Sequence, residues 1–109
     1  LSMKDIGYYF SNSDTKWKNK NSIYFLKFAK KQLKKKNFYI VNLDINFICE
    51  KPSISKYRKQ MIKKISSILQ IPEKIISIKA TSNEKIGFIG DGLGIAAESI
   101  VQISNENIY

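Results

Sequence analysis

Histidine is absent from the chain, and cysteine and arginine occur once each among 109 residues. Without histidine the commonest neutral metal ligand is missing, so a His-containing zinc cluster cannot be built from these residues. The lone Cys49 excludes an internal disulfide framework, and its place in an apolar run predicts a buried thiol in a reducing compartment. No run of about 18 apolar residues occurs, so no segment is expected to span a membrane as a helix, and no secretory leader is visible. Acidic residues are scarce: nine Asp and Glu face nineteen Lys and Arg, a net charge of +10 that suits an anionic partner. Nearly all of that charge is lysine, and the single Arg58 argues against a nucleic-acid reader, which needs arginine for bidentate contacts. A joint enrichment in Lys, Asn and Ile, with most lysines merely solvated, accounts for the balance at least as well.

What is present divides into segments of different period. Residues 1–21 interleave Tyr8, Tyr9, Phe10 and Trp17 with small polar residues, hold no period, and are expected to form a loop anchored by its aromatics. Ser22 is expected to cap a helix to about Lys36, with Ile23, Leu26, Ala29 and Leu33 on one face and lysines around the other, closed by Asn37. The Lys34–Lys36 run then suits the negative end of the helix dipole. From Phe38 to Glu50 the period becomes two: Tyr39, Val41, Leu43, Ile45, Phe47 and Cys49 face one way, Asn42, Asp44, Asn46 and Glu50 the other. Lys51-Pro52-Ser53 breaks that strand. A second amphipathic helix is predicted from about Ser55 to Leu69, ended by Pro72, with Met61, Ile62, Ile65, Ile68 and Leu69 as its buried stripe. Ile75–Ala80 and Gly94–Ile103 are predicted as further strands, the second with small residues Ala96, Ala97 and Ser99 that permit close packing across an oligomer axis. Helices alternating with strands predict one α/β domain over residues 1–109: a mixed sheet with helices packed on one face.

Between the last two strands lies the densest chemistry. Thr81, Ser82 and Glu84 are followed by Gly87, Gly90, Gly92 and Gly94, and hydroxyls and free N–H groups in a glycine-rich turn suit phosphate oxygens. On physical grounds alone most such turns are only turns, and a lone Glu84 near a helix start is ordinarily a surface residue.

The run Lys79-Ala80-Thr81-Ser82-Asn83-Glu84-Lys85-Ile86-Gly87-Phe88, with Gly92-Leu93-Gly94-Ile95-Ala96 after it, resembles the C-terminal signature of the 2-C-methyl-D-erythritol 2,4-cyclodiphosphate synthase family. Asp5-Ile6-Gly7, Phe10 to Asp14 and Lys51-Pro52 fall in that family's order, so the similarity covers roughly residues 1–103. The resemblance implies a homotrimer with active sites shared between neighbouring subunits. It implies an enzyme that cyclises a cytidine diphosphate-linked methylerythritol phosphate with loss of CMP, located in the cytoplasm or a plastid-type organelle and not secreted. Carried over residue by residue, Asp5, Ile6 and Gly7 contact the methylerythritol part, and Phe10 and Asp14 bound a flexible loop. Cys49, Lys51, Pro52, Ser53 and Ser55 form the turn that holds cytosine, largely through backbone groups. Thr81, Ser82 and Glu84 contact the diphosphate, Ser82 stabilises the transition state, Glu84 reaches a second ion of Mg or Mn type, and Phe88 extends the match.

Departures from the family pattern are equally specific. Ser11 and Asn12 replace a proline and an aspartate in the flexible loop, and Ser53 stands where lysine is usual. Asp91 replaces an arginine that faces the trimer channel, which argues against an isoprenoid diphosphate effector there. The family's zinc is held by an Asp-x-His pair and a further histidine upstream of Asp5; these ligands are not in this chain, which corresponds to the C-terminal two-thirds of such an enzyme and is expected to be inactive alone. Neither nucleic acid nor a membrane is an expected partner. The alternative is a basic α/β module that binds nucleotides or RNA without chemistry.

Overall fold

The computed structural model describes residues 1–11, 21–50, 53–81, 87 and 94–107. Its elements are α1 (Ile6–Tyr9), α2 (Ser22–Lys35), β1 (Tyr39–Ile48), α3 (Ile54–Leu69), a 3-10 turn (Glu73–Ile75), β2 (Ile76–Thr81) and β3 (Ala96–Ser104). The three strands form one mixed sheet in the order β2-β1-β3. β1 pairs with β2 in parallel, through the α3 crossover such a pair requires, and with β3 antiparallel. The expected α/β architecture, with its two long helices and three strands, is the one observed.

Side chains explain the boundaries. α2 is capped by Asn21, whose Oδ1 accepts from the Ile23 N–H at 2.9 Å; the expected cap, Ser22, is the first helical residue. At the other end Asn37 adopts φ 59°, and the N–H groups of Asn37 and Phe38 return to the carbonyls of Lys34 and Leu33 at 3.1 and 2.9 Å. This Schellman closure satisfies carbonyls that the helix leaves free. α3 stops in the same manner: Gln70 at φ 54° lets the Ile71 N–H reach the Ser66 carbonyl at 3.2 Å, two residues before the proline expected to end it. Residues 6–9, expected to be loop, form a single helical turn because the Asp5 carboxylate accepts from the Tyr8 N–H at 2.9 Å.

The core lies between the sheet and its helices: Ile40, Leu43, Cys49, Ile54, Leu69, Ile71, Ile76 and Ile78 are buried, with Leu26, Leu33, Met61, Ile62 and Ile65 packed against them. One expectation about β1 fails here. Ile40, not Tyr39 or Val41, is buried with Leu43, because the pairing with β3 shifts between Ile40 and Asn42. A bulge adds one residue to one strand and turns everything before it onto the opposite face. From Leu43 onward the expected alternation holds. Arg58 ties helix to sheet, its Nε donating to the Ile78 carbonyl at 2.9 Å.

The opposite face of the sheet is polar at its centre. Lys79 Nζ meets Asp44 Oδ2 at 2.9 Å, and Asn46 Nδ2 donates to Glu98 Oε1 at 3.2 Å. The other oxygens, Asp44 Oδ1 and Asn46 Oδ1, are buried without a hydrogen-bond partner among the described residues.

Candidate active site

Two parallel strands running side by side must end side by side, and here the chain leaves both ends into the segments that carry the candidate chemistry. Ile48 pairs with Thr81 on one side and with Ala96 on the other. Beyond the last ladder pair the Cys49 N–H donates to the Thr81 carbonyl at 3.2 Å. The expected cytosine turn, which begins at Cys49, therefore starts against the residue that opens the expected diphosphate segment. Carboxyl ends of parallel strands are where open α/β sheets bind ligands, since the connecting loops diverge there and leave a crevice.

The turn is pinned on both sides. Cys49 and Ile54 are buried at 7 % exposure each and hold its ends in the core, while Ser53 and Ser55 are exposed and free of that duty. Ser53 is the N-cap residue of α3 but makes no side-chain cap bond, so its hydroxyl is not committed to the helix. Thr81 is exposed at the strand end, with its carbonyl held by Cys49. Gly87 adopts φ 70°, and among the described residues nothing lies within 4 Å of where a Cβ would sit; the left-handed backbone is what favours glycine there. Lys51, Pro52, Ser82, Glu84 and Phe88 lie outside the described residues, as does Asp14.

The N-terminal candidates form a second group, carried by α2. Phe10 stacks edge-on against Phe25 and Phe28 at ring distances of 4.8 and 4.7 Å and meets Tyr24 at 6.1 Å; Tyr9 adds a contact to Phe28 at 5.4 Å. Such pairs contribute roughly 0.5–1.5 kcal/mol each beyond burial, so they anchor the N-terminal turn to the helix, as the aromatic pattern suggested. Asp5 faces the backbone it caps, Ile6 is exposed at 67 %, and among the described residues Gly7 has only the Asp5 carboxylate nearby, 3.6 Å from an added Cβ.

Among the described residues no three His, Cys, Asp or Glu side chains gather as a metal site. Of the carboxylates that could begin one, Asp5 is engaged with the Tyr8 N–H and Asp44 with Lys79. The described residues therefore do not fit a zinc ion. A cavity of about 360 Å³ is present, but it lies at the other end of the sheet, beside Tyr39 and Ile40. The sequence reading missed the sheet-face pairs Asp44–Lys79 and Asn46–Glu98, which follow from the register and from no local motif. It also gave Arg58 no structural role, although a cation one turn inside α3 and four residues from Ile54 is placed to cross onto β2.

A three-stranded mixed sheet with helices on one face, its two parallel strands ending side by side at Ile48 and Thr81, defines an α/β domain. More particularly, the chain belongs to the YgbB family, whose pattern matches residues 1–104. It is 43% identical over 102 residues to the 2-C-methyl-D-erythritol 2,4-cyclodiphosphate synthase of Ehrlichia canis, covering 94% of this chain and 59% of that protein. It is 48% identical over 91 residues to the apicoplast enzyme of that name from Plasmodium falciparum, covering 84% of this chain and 38% of the relative. Its fold superposes on the Plasmodium falciparum IspF CDP complex with a TM-score of 0.83 at 39% identity, over 95% of this chain and 62% of that one. The chain thus spans less than two-thirds of the length of each of these relatives.

Proposed function

We propose that the protein carrying this chain converts 4-diphosphocytidyl-2-C-methyl-D-erythritol 2-phosphate into 2-C-methyl-D-erythritol 2,4-cyclodiphosphate and CMP. The observation that carries this is the Cys49 N–H to Thr81 carbonyl bond at 3.2 Å, which sets the start of the cytosine turn against the start of the diphosphate segment. Family membership and the bound CDP of the Plasmodium falciparum structure support the same reading.

In this reaction an oxygen of the 2-phosphate attacks the β-phosphorus, the bond from that phosphorus to the CMP oxygen breaks, and the electron pair leaves with CMP. Attacker, target and leaving group are all anionic, so the protein's task is to hold them in line and neutralise charge. The turn from Cys49 to Ser55, with Lys51, Pro52 and Ser53, holds the cytosine and so fixes the leaving group. Thr81 and Ser82 supply hydroxyl donors to the diphosphate, with Ser82 meeting the charge that develops at the transition state, and Phe88 borders the same segment. Asp5, Ile6, Gly7, Phe10 and Asp14 position the methylerythritol end. Glu84 is the residue that would hold a Mg- or Mn-type ion, which when bound would neutralise phosphate charge; a zinc set would come from outside these residues.

A homotrimer with shared sites accommodates the two groups of residues, one copy presenting its strand ends and a neighbour its N-terminal turn. Support comes from the exposed sheet: on and beside β3, Ile100, Val101 and Ile95 are exposed at 76 %, 46 % and 52 %, and on β1 the Asp44 Oδ1 and Asn46 Oδ1 oxygens have no donor among the described residues. Cytoplasm or a plastid-type organelle is the proposed location; among the described residues no helix is long and apolar enough to cross a membrane.

Titrating the full-length protein with CDP, UDP and single-stranded RNA tests the proposal. Saturable binding that prefers cytidine over uridine is expected. A steep salt dependence with no base preference would instead indicate a basic nucleic-acid-binding module.

A further inference from the structure

The cavity of about 360 Å³ sits where α2 and α3 both end and β1 begins. From Ile40 to Ile48 the strand covers roughly 26 Å at about 3.3 Å per residue, so this cavity is separate from the strand-end site. Its volume falls within the range of about 300–1,000 Å³ typical of small-molecule pockets. Leu33, Ile40, Leu69 and Ile71 supply an aliphatic lining, and Lys30 and Lys34 stand on the same wall, one helical turn apart.

These two lysines are unusual in their company. α2 carries five lysines and α3 four lysines and Arg58, and neither helix contains an acidic residue. Neither Lys30 nor Lys34 has an acidic partner among the described residues. Lys34 lies in the last turn, where the helix dipole already favours a cation; Lys30, a turn earlier, has no such reason. Its ammonium instead donates to Gln70 Oε1 at the end of α3, bridging the two helix ends beside the cavity. Burial, and secondarily the neighbouring Lys34 charge, hold the Lys30 pKa below the usual lysine range. At this aliphatic hollow the Lys30 charge is destabilised by lost water and by the neighbouring Lys34, and one anion bridging the two would relieve both terms.

We propose that this cavity binds a small amphiphilic anion, a carboxylate or phosphate monoester whose aliphatic chain lies along Leu33, Ile40, Leu69 and Ile71 and whose head bridges Lys30 and Lys34. Phe38 and Tyr39 also border the cavity, but its volume is at the small end of the range, which suits an aliphatic chain better than a nucleotide.

The test uses the full-length protein, with octanoate and octyl phosphate as probes and octan-1-ol and octylammonium as controls. Titration is followed by backbone amide shifts of Phe38, Ile40, Gln70 and Ile71. Saturable 1:1 binding of at least one anion is expected at these amides, at least tenfold tighter than either control, and the tighter anion identifies the natural head group. The double variant Lys30→Gln, Lys34→Gln, both on the helix surface, should keep its spectrum and its CDP affinity while losing at least tenfold in anion affinity. Undisturbed amides, equal binding of octan-1-ol, full binding by the double variant, or displacement of the probe by CMP would each overturn the proposal.

Discussion

Replacing Ile78 by alanine tests whether β2 is held as firmly as the active-site reading requires. Ile78 is 4% exposed, lies opposite Ile45 of β1, and stands three residues before Thr81. The substitution removes three carbons, about 2.4 kcal/mol at roughly 0.8 kcal/mol for each buried methylene. Helix α3 cannot collapse fully onto the gap, because Arg58 holds it at the Ile78 carbonyl, a bond to backbone that survives the change. A cavity term therefore adds to the transfer term, and the expected loss is about 3–4 kcal/mol, within the usual range of about 2–5 for such truncations. Against a total stability of about 5–15 kcal/mol that loss is large. Urea unfolding of the full-length protein, followed by circular dichroism, measures it; wild type and variant must be compared at one protein concentration, since assembly adds to apparent stability. Ile78→Val should cost only about 0.5–1.5 kcal/mol. A loss below about 1 kcal/mol for Ile78→Ala would refute the packing of β2 between α3 and β1 described above.

Other consequences are independent of that one. Asn21→Ala removes the α2 cap and should cost about 1 kcal/mol in the same assay, whereas Asn21→Ser should cost little. Asp5→Asn keeps an acceptor for the Tyr8 N–H but loses the carboxylate; if Asp5 contacts the substrate, kcat/KM should fall at least tenfold while circular dichroism stays unchanged, and retained activity would leave Asp5 only its capping role. Raising monovalent salt from about 0.05 to 0.5 M should raise the urea midpoint, because it screens the uncompensated lysines of α2 and α3, and a falling midpoint would contradict that picture. Deprotonation of Lys30 should act in the same direction. Its folded pKa is depressed, so the penalty for its charge is present at neutral pH and fades as pH rises through the depressed value toward the ordinary lysine range.

Periodicity carried most of the architecture, since α2, α3 and all three strands announce themselves through apolar spacing, and each observed boundary falls within two residues of the expected one. What escaped was set by tertiary geometry. The bulge that buries Ile40 depends on β3, whose partner residues lie some sixty positions away in sequence, and no local pattern in Tyr39–Leu43 marks it. The single turn at Ile6–Tyr9 arises from one Asp5 side chain in a stretch with no helical period. The candidate site was visible as family motifs rather than as chemistry, because a phosphate cradle made of hydroxyls and backbone N–H groups has almost no composition of its own. What the fold adds is adjacency: Cys49 and Thr81 are 32 positions apart and hydrogen-bonded.

Determining a structure of the full-length protein with CDP bound tests the central claim most directly. The cytosine ring is expected in the turn between Cys49 and Ser55, with the diphosphate running from there toward Thr81, Ser82 and Glu84 within one continuous crevice. Cytosine bound elsewhere, or a diphosphate with no contact to the Thr81–Glu84 segment of any copy, would contradict it.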